Sequence, residues 1–296
     1  MQKPVILVSG KNGQLGHALQ TLAPAYTAYD FVFLSREELD LSKPATLKDL
    51  FDRYYPAYFI NCAAYTAVDK AESDQQTAWL VNSETVGQIA VQCNFHNTKL
   101  IHISTDYVFN GNGDKPYKED EQTDPINYYG YTKWLGEKMA LENNPQSVII
   151  RTSWVYSYHG ANFVKTMLRL MKERPEIKVV SDQLGSPTYA FDLAEAILVI
   201  VNKLQSTEVA TASNLYGIYH FSNSGIISWH QFASTIKDIA GFNCIVHAIP
   251  SSNYPTPAKR PFYSAMNTTK IQNSFGVQLK DWKESLQACI QQLQQA

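Results

Sequence analysis

Tyr129 and Lys133 stand four residues apart at the head of a segment, Trp134-Leu135-Gly136-Glu137-Lys138-Met139-Ala140-Leu141, whose apolar residues recur at helical spacing. Residues four apart share one helix face, so the phenol and the ammonium point into the same space. A phenol titrates near pH ~10, and a fixed positive charge beside it favours the phenolate. Such a pair holds a proton ready for a carbonyl oxygen near neutral pH. Taken alone, the same spacing equally describes an amphipathic surface helix. Upstream, Leu100-Ile101-His102-Ile103 reads as a buried strand closed by Ser104 and Thr105. A hydroxyl at that end can hydrogen-bond a substrate carbonyl and hold it against Tyr129, although serine and threonine also close strands as turn formers.

These side chains need elements to bring them together. Residues 5–8 form a continuous apolar run, the pattern of a strand buried on both faces. It ends in Gly10-x-x-Gly13-x-x-Gly16, with Gln14 and Leu15 inside the motif, and a helix begins at His17. Glycines there allow a tight turn, and a helix N-terminus offers free N–H groups to a phosphate, so the opening unit reads as dinucleotide-binding. A second strand at 31–34 ends in Ser35-Arg36, followed by Glu37 and Glu38. An arginine at this position suits the 2′-phosphate of NADPH, whereas an acid would suit NADH. Ser42 is a candidate cap for a helix over 45–54. A third strand at 58–60 runs into small residues that let a flat cofactor pass close to the backbone. A single helix is expected over 75–94, a long polar loop over 110–127 and a fifth strand at 148–150. Strands alternating with helices in this way predict an α/β fold with a doubly wound parallel sheet.

Beyond Arg151 the chain continues with Trp154 in an aromatic-rich exit, a helix over 162–172, a strand over 177–180, a helix over 191–204 and a further strand over 216–221. Ser228 and Asp281 are candidate caps for helices over 229–240 and 282–294. A proline-rich loop spans 254–261. Residues 1–152 are therefore expected to form the main domain. Residues 153–296 are expected to form mainly a smaller lobe, partly interleaved with the sheet and covering the nicotinamide side.

The 296 residues are 45% hydrophobic with a formal net charge of −2, a balance that argues against nucleic acid as the main partner. No apolar run reaches the ~20 residues of a bilayer crossing, so no membrane role is expected. The opening residues enter a strand without a secretory h-region, so a cytoplasmic location is expected. Cys62, Cys93, Cys244 and Cys289 share no metal or redox spacing, and the seven histidines are dispersed. No metal site is expected, and His102 reads as a core or supporting residue.

Together, the glycine motif, Ser104-Thr105-Asp106-Tyr107-Val108-Phe109 and Tyr129-x-x-x-Lys133 resemble the extended short-chain dehydrogenase/reductase superfamily. Within it, Ala64-Tyr65-Thr66-Ala67-Val68-Asp69-Lys70-Ala71-Glu72, Arg151-Thr152-Ser153-Trp154-Val155-Tyr156 and the 254–261 loop are similar to the dTDP-4-dehydrorhamnose reductase family. The resemblance covers essentially the whole chain. It implies a Rossmann-like NAD(P)-binding domain over 1–152, to which later segments return, and a substrate-binding lobe mainly over 153–296. It also implies reduction of the C4 ketone of dTDP-4-dehydro-L-rhamnose by NADPH or NADH. On that resemblance Tyr129 would give the proton to the C4 oxygen, and Lys133 would bind the nicotinamide ribose and lower the phenol's pKa. Thr105 would orient the carbonyl, and Asp106, Tyr107 and Trp154 would contact the nucleotide-sugar substrate. Gly13, Gln14, Leu15, Asp40, Leu41, Ala64, Tyr65 and Thr66 would line the dinucleotide. Two departures stand out. Ser35-Arg36 occupies a place where some members carry an acid, which leans cofactor choice to NADPH. Where some members dimerise around magnesium held partly by a glutamate, this chain reads His17-Ala18, so magnesium stays open, as does the choice between monomer and homodimer. The rival readings are a reductase of another 4-keto nucleotide sugar, and a non-catalytic nucleotide-binding regulatory subunit of the methionine adenosyltransferase type.

Overall fold

A computed structural model describes residues 3–295. In chain order, β1 (Val5–Ser9) leads into α1 (Gln14–Leu22), and β2 (Asp30–Leu34) into α2 (Leu47–Tyr54). β3 (Tyr58–Asn61) leads into α3 (Val68–Ala71), α4 (Gln75–Trp79) and α5 (Thr85–Phe95). β4 (Lys99–Thr105), α6 (Tyr128–Asn143) and β5 (Ser147–Thr152) complete the first half. The second half runs through β6 (Val155–Tyr156), α7 (Phe163–Glu173), β7 (Glu176–Val180), β8 (Leu184–Gly185), β9 (Thr188–Tyr189), α8 (Ala190–Ser206) and α9 (Val209–Ala212). It ends with β10 (Gly217–His220), β11 (Ile227–Ser228), α10 (Trp229–Ala240), β12 (Ile245–Ile249), α11 (Thr269–Phe275) and α12 (Trp282–Gln295).

Six strands form one parallel sheet in the order β10-β5-β4-β3-β1-β2. Successive strand residues face opposite sides, and both sides are apolar because helices cover both. Ile6 and Val8 enter a core shared with α1 and α8. Leu7 between them enters a second core with α2, α5 and α6. This is the doubly wound α/β architecture that the unbroken apolar runs of the strands predict. The lobe has its own core, in which Met167, Phe232, Trp282 and Leu286 bring α7, α10 and α12 together. β7 and β12 pair in parallel at its edge. The chain is not cut cleanly after β5. Residues from α8, with Tyr219 of β10, are buried in the core beneath the sheet, and β10 docks beside β5 with Gly217 opposite Val148.

Ser228 makes a full capping box with Gln231, and Asp281 accepts the Lys283 amide at 2.8 Å at the head of α12. Two expectations are corrected. The helix expected over 75–94 is interrupted by a π turn, Leu80–Glu84, whose Asn82 and Ser83 are buried and bonded to Thr132 of α6. Ser42 does not cap α2. A 3₁₀ turn, Pro44–Thr46, precedes that helix, and both the amide and the hydroxyl of Ser42 bond Asp40 Oδ1 instead. Among the described residues, no helix is long and apolar enough to cross a membrane.

Candidate functional site

β1 is flanked by β2 on one side and β3 on the other, so the connections leave in opposite directions and a crevice opens at the carboxyl ends of the strands. A cleft of about 1050 Å³ lies there. Every expected site residue lines it except Gly16: the glycine turn, Arg36, Asp40, Leu41, the Ala64–Thr66 loop, Thr105 to Tyr107, Tyr129, Lys133 and Trp154 share one wall system. Gly16 acts from beneath. A Cβ there would lie 2.2 Å from Gly10 O, so its role is close packing of α1 on the turn. Gly10 is left-handed (φ 75°), and a Cβ on it would meet Ala63 N at 2.9 Å. Gly13 starts α1 with no side-chain cap, which leaves first-turn amides free for an anion.

α6 is fixed before it presents anything. Asn127 caps it by accepting the Gly130 amide at 2.8 Å and donates to Lys259 O at 2.9 Å. Glu137 forms a two-bond ion pair with Arg151 of β5, at 2.9 and 2.7 Å, with both side chains buried. Tyr129 then faces the cleft with its ring nearly perpendicular to that of Tyr107, the centroids 5.9 Å apart. Thr105 Oγ1 donates to Asp106 Oδ1 at 2.9 Å and accepts the Tyr107 amide at 3.2 Å.

The electrostatics differ from the expectation for Tyr129. Burial pushes its phenol up to about 12, against the opposing hydrogen bond with Thr105. Burial pulls the Lys133 ammonium down to about 8, partly opposed by Glu137. Desolvation therefore outweighs the hydrogen bond with Thr105, and the phenol keeps its proton at neutral pH. Asp106 is driven up to about 7 by burial, with hydrogen bonds from Ser264, Thr105 and backbone amides pulling the other way. Its Oδ2 and the Ser104 hydroxyl are buried with no partner in the structure, a pair of polar atoms aimed at a site that a ligand can complete.

Three contributors escaped the sequence reading. Trp229 and Phe163 join Trp154 on the lobe side of the cleft. Trp154 stacks on Trp229 at 3.6 Å and holds a left-handed backbone (φ 48°), a strain of order ~1–3 kcal/mol that surrounding contacts must hold. Nothing local in the sequence pairs residues so far apart. Lys11 stands beside the second-strand exit, 3.1 Å from Glu38 Oε2, while Arg36 pairs with Asp40 at 3.5 Å. Lys11 lies within the glycine motif, and that position was its available signal. His17 stacks on His159 at 4.0 Å, and among the described residues no three His, Cys, Asp or Glu side chains gather as a metal site.

The model of the RmlD substrate binding domain matches residues 3–295. A dTDP-4-dehydrorhamnose reductase from Aggregatibacter actinomycetemcomitans is 40% identical over 287 residues, covering 95% of this chain and 96% of that protein. A crystal structure of a dTDP-4-dehydrorhamnose reductase from Clostridium acetobutylicum superposes with a TM-score of 0.92 at 36% identity, covering 98% and 99% of the two chains. The enzyme of that name from Bacillus anthracis, solved in complex with NADP, gives a TM-score of 0.89 at 38% identity, covering 98% and 100%.

Proposed function

This chain belongs to the RmlD substrate binding domain family, and from that premise we infer that it reduces the C4 ketone of dTDP-4-dehydro-L-rhamnose to dTDP-L-rhamnose. NADPH or NADH supplies the hydride. The chain's own residues do the rest. The α1 amides and the close-packed Gly10 turn suit the pyrophosphate, and the Ala64–Thr66 loop suits the flat body of the cofactor. Arg36, with Lys11 nearby, favours the extra phosphate of NADPH, so Arg36→Ala should weaken NADPH more than NADH in direct binding. Thr105 and Tyr129 hold the ketone oxygen, and Tyr129 gives up its proton as that oxygen gains charge. Lys133 supplies positive charge beneath the phenol and donates hydrogen bonds to the hydroxyls of the nicotinamide ribose. Asp106, Tyr107 and Trp154 hold the sugar nucleotide.

The observation that carries this reading is Tyr129, protonated and facing the same cleft as the glycine turn, beside Thr105. Every residue of the proposed site comes from one chain, so the reaction is expected of a monomer and equally of each protomer of a homodimer. The cytoplasm, which holds the reduced nicotinamide pool, is the proposed location. Oxidation of NADPH followed with dTDP-4-dehydro-L-rhamnose tests the function. Turnover of that substrate above other 4-keto nucleotide sugars is expected; no turnover with any of them would overturn it and favour a binding protein.

A further inference from the structure

The Lys133 amine ends inside the molecule, at the head of a buried polar chain. Its Nζ donates to Ile103 O at 2.6 Å and lies 3.3 Å from His102 Nε2. His102 Nδ1 is 3.0 Å from the Asn61 amide nitrogen, and Ser9 donates to Asn61 Oδ1 at 2.7 Å. Ser9 Oγ also accepts the Ala63 amide at 3.4 Å. Ser9, Asn61, His102 and Lys133 are each no more than 1% exposed. The chain crosses β1, β3 and β4 beneath the cleft, from the residue before Gly10 to the helix that carries Tyr129.

A neutral imidazole has one N–H and one acceptor nitrogen. If Lys133 is an ammonium, His102 Nε2 must accept, so the ring proton sits on Nδ1 and is donated to the Asn61 oxygen, which requires the Asn61 amide to turn over so that its nitrogen then donates to Ser9 Oγ. If Lys133 is a neutral amine, the whole chain reverses: Ser9 donates to the Asn61 oxygen, the Asn61 amide nitrogen donates to Nδ1, and Nε2–H donates to the amine. The structure shows the second polarity at Ser9 and Asn61. Burial holds the His102 ring neutral, its pKa far below the usual value, and Lys133 lowers it further. The charged or titratable groups that act on Lys133 are Glu137 on its own helix and His102 from β4, while Tyr129 stands one turn earlier in α6. Glu137 is neutralised by Arg151 of β5, and β3 presents only the uncharged Asn61.

We propose that His102 is a positioning residue for the reduction, holding the Lys133 amine in place and changing tautomer with its charge, so that the protonation of Lys133 is relayed through Asn61 to Ser9 at the root of the cofactor turn. The proposal rests on the reading of Lys133 as the cation of the cofactor site.

Two measurements on the free protein and on its NADPH complex test it. In ¹⁵N spectra of the free protein, His102 should carry its proton on Nδ1 below the Lys133 transition near 8 and on Nε2 above it. One tautomer throughout would overturn the proposal. In parallel, NADPH binding without substrate should weaken as pH rises through that transition. His102→Phe removes an acceptor for the ammonium, so the weakening should move down by about one pH unit, a tenfold change in proton affinity. His102→Gln keeps an acceptor oxygen and should restore it. Asn61→Asp pins the ring proton on Nδ1 and should move it up. Altered melting temperatures with the transition unmoved in all three variants would reduce His102 to packing and sink the idea. Lys133→Ala separates the two readings: wild-type NADPH binding and pH dependence in that variant would instead remove Lys133 from the cofactor site.

Discussion

At Tyr129 two influences compete for one proton. The hydrogen bond with Thr105 pulls toward the phenolate, while burial favours the neutral phenol, and burial prevails with the phenol at about 12. That state suits a proton donor, which must stay protonated until the ketone oxygen becomes basic. Tyr129→Phe keeps the ring and loses only the proton, so NADPH binding should hold while kcat falls by ~10²–10⁴-fold; a kcat within tenfold of wild type would exclude the role. Asp106 makes the opposite case for stability. Its folded pKa, about 7, lies above the usual carboxyl value of 3.8, so the folded state binds the extra proton and stability is lost as pH rises from about 4 through about 7. Asp106→Asn should therefore raise Tm at pH 8 and leave it unchanged at pH 3.5, while weakening the sugar-nucleotide KM. An equal Tm difference at both pH values would refute a buried, raised carboxyl. The identities of these residues were legible in the sequence; their protonation states were not, because solvation belongs to the fold and not to the spacing.

At the scale of elements, α6 carries both Tyr129 and Lys133, and its placement depends on contacts that no local pattern announces. Gly136 lies against the π turn so closely that a Cβ would approach Asn82 O to 2.1 Å. Asn82 in turn accepts the Tyr65 amide at 2.9 Å and donates to Tyr65 O and to Thr132 Oγ1, each at 3.1 Å. One side chain thus joins the Ala64–Thr66 loop to α6, which gives the π turn a reason to interrupt an otherwise regular helix. Gly136→Ala would normally improve a helix, but here overpacking should cost ~1–3 kcal/mol. Calorimetry should show a lower Tm together with reduced kcat; a Tm at or above wild type would mean that the contact yields freely. The helical spacing after Tyr129 showed that α6 exists. It did not show the face on which the helix is pressed, since glycine at position 136 reads as a weak helix former until its neighbour is known.

Taken whole, the molecule is one interleaved body. Without α8, Tyr219 and Phe275, the core under Ile6 and Val8 loses much of its covering, and β5 loses its neighbour β10. A fragment of residues 1–152 should therefore show no cooperative unfolding, whereas the full chain should retain it; a cooperative transition in the fragment would make the main domain independent. The sequence by itself determined the succession of the six strands of the main sheet, the glycine turn and the Tyr129, Lys133 and Thr105 set, because each is written at short range: unbroken apolar runs for strands buried on both faces, a spacing near four for helices, and glycine where backbone must approach backbone. Only the tertiary structure decided that Trp154 would lean on Trp229, that His102 would meet Lys133, and that burial would keep the Tyr129 phenol protonated. Those outcomes depend on distances between residues remote in the chain and on how much water is removed around them, and neither quantity exists until the sheet and its lobe close on each other.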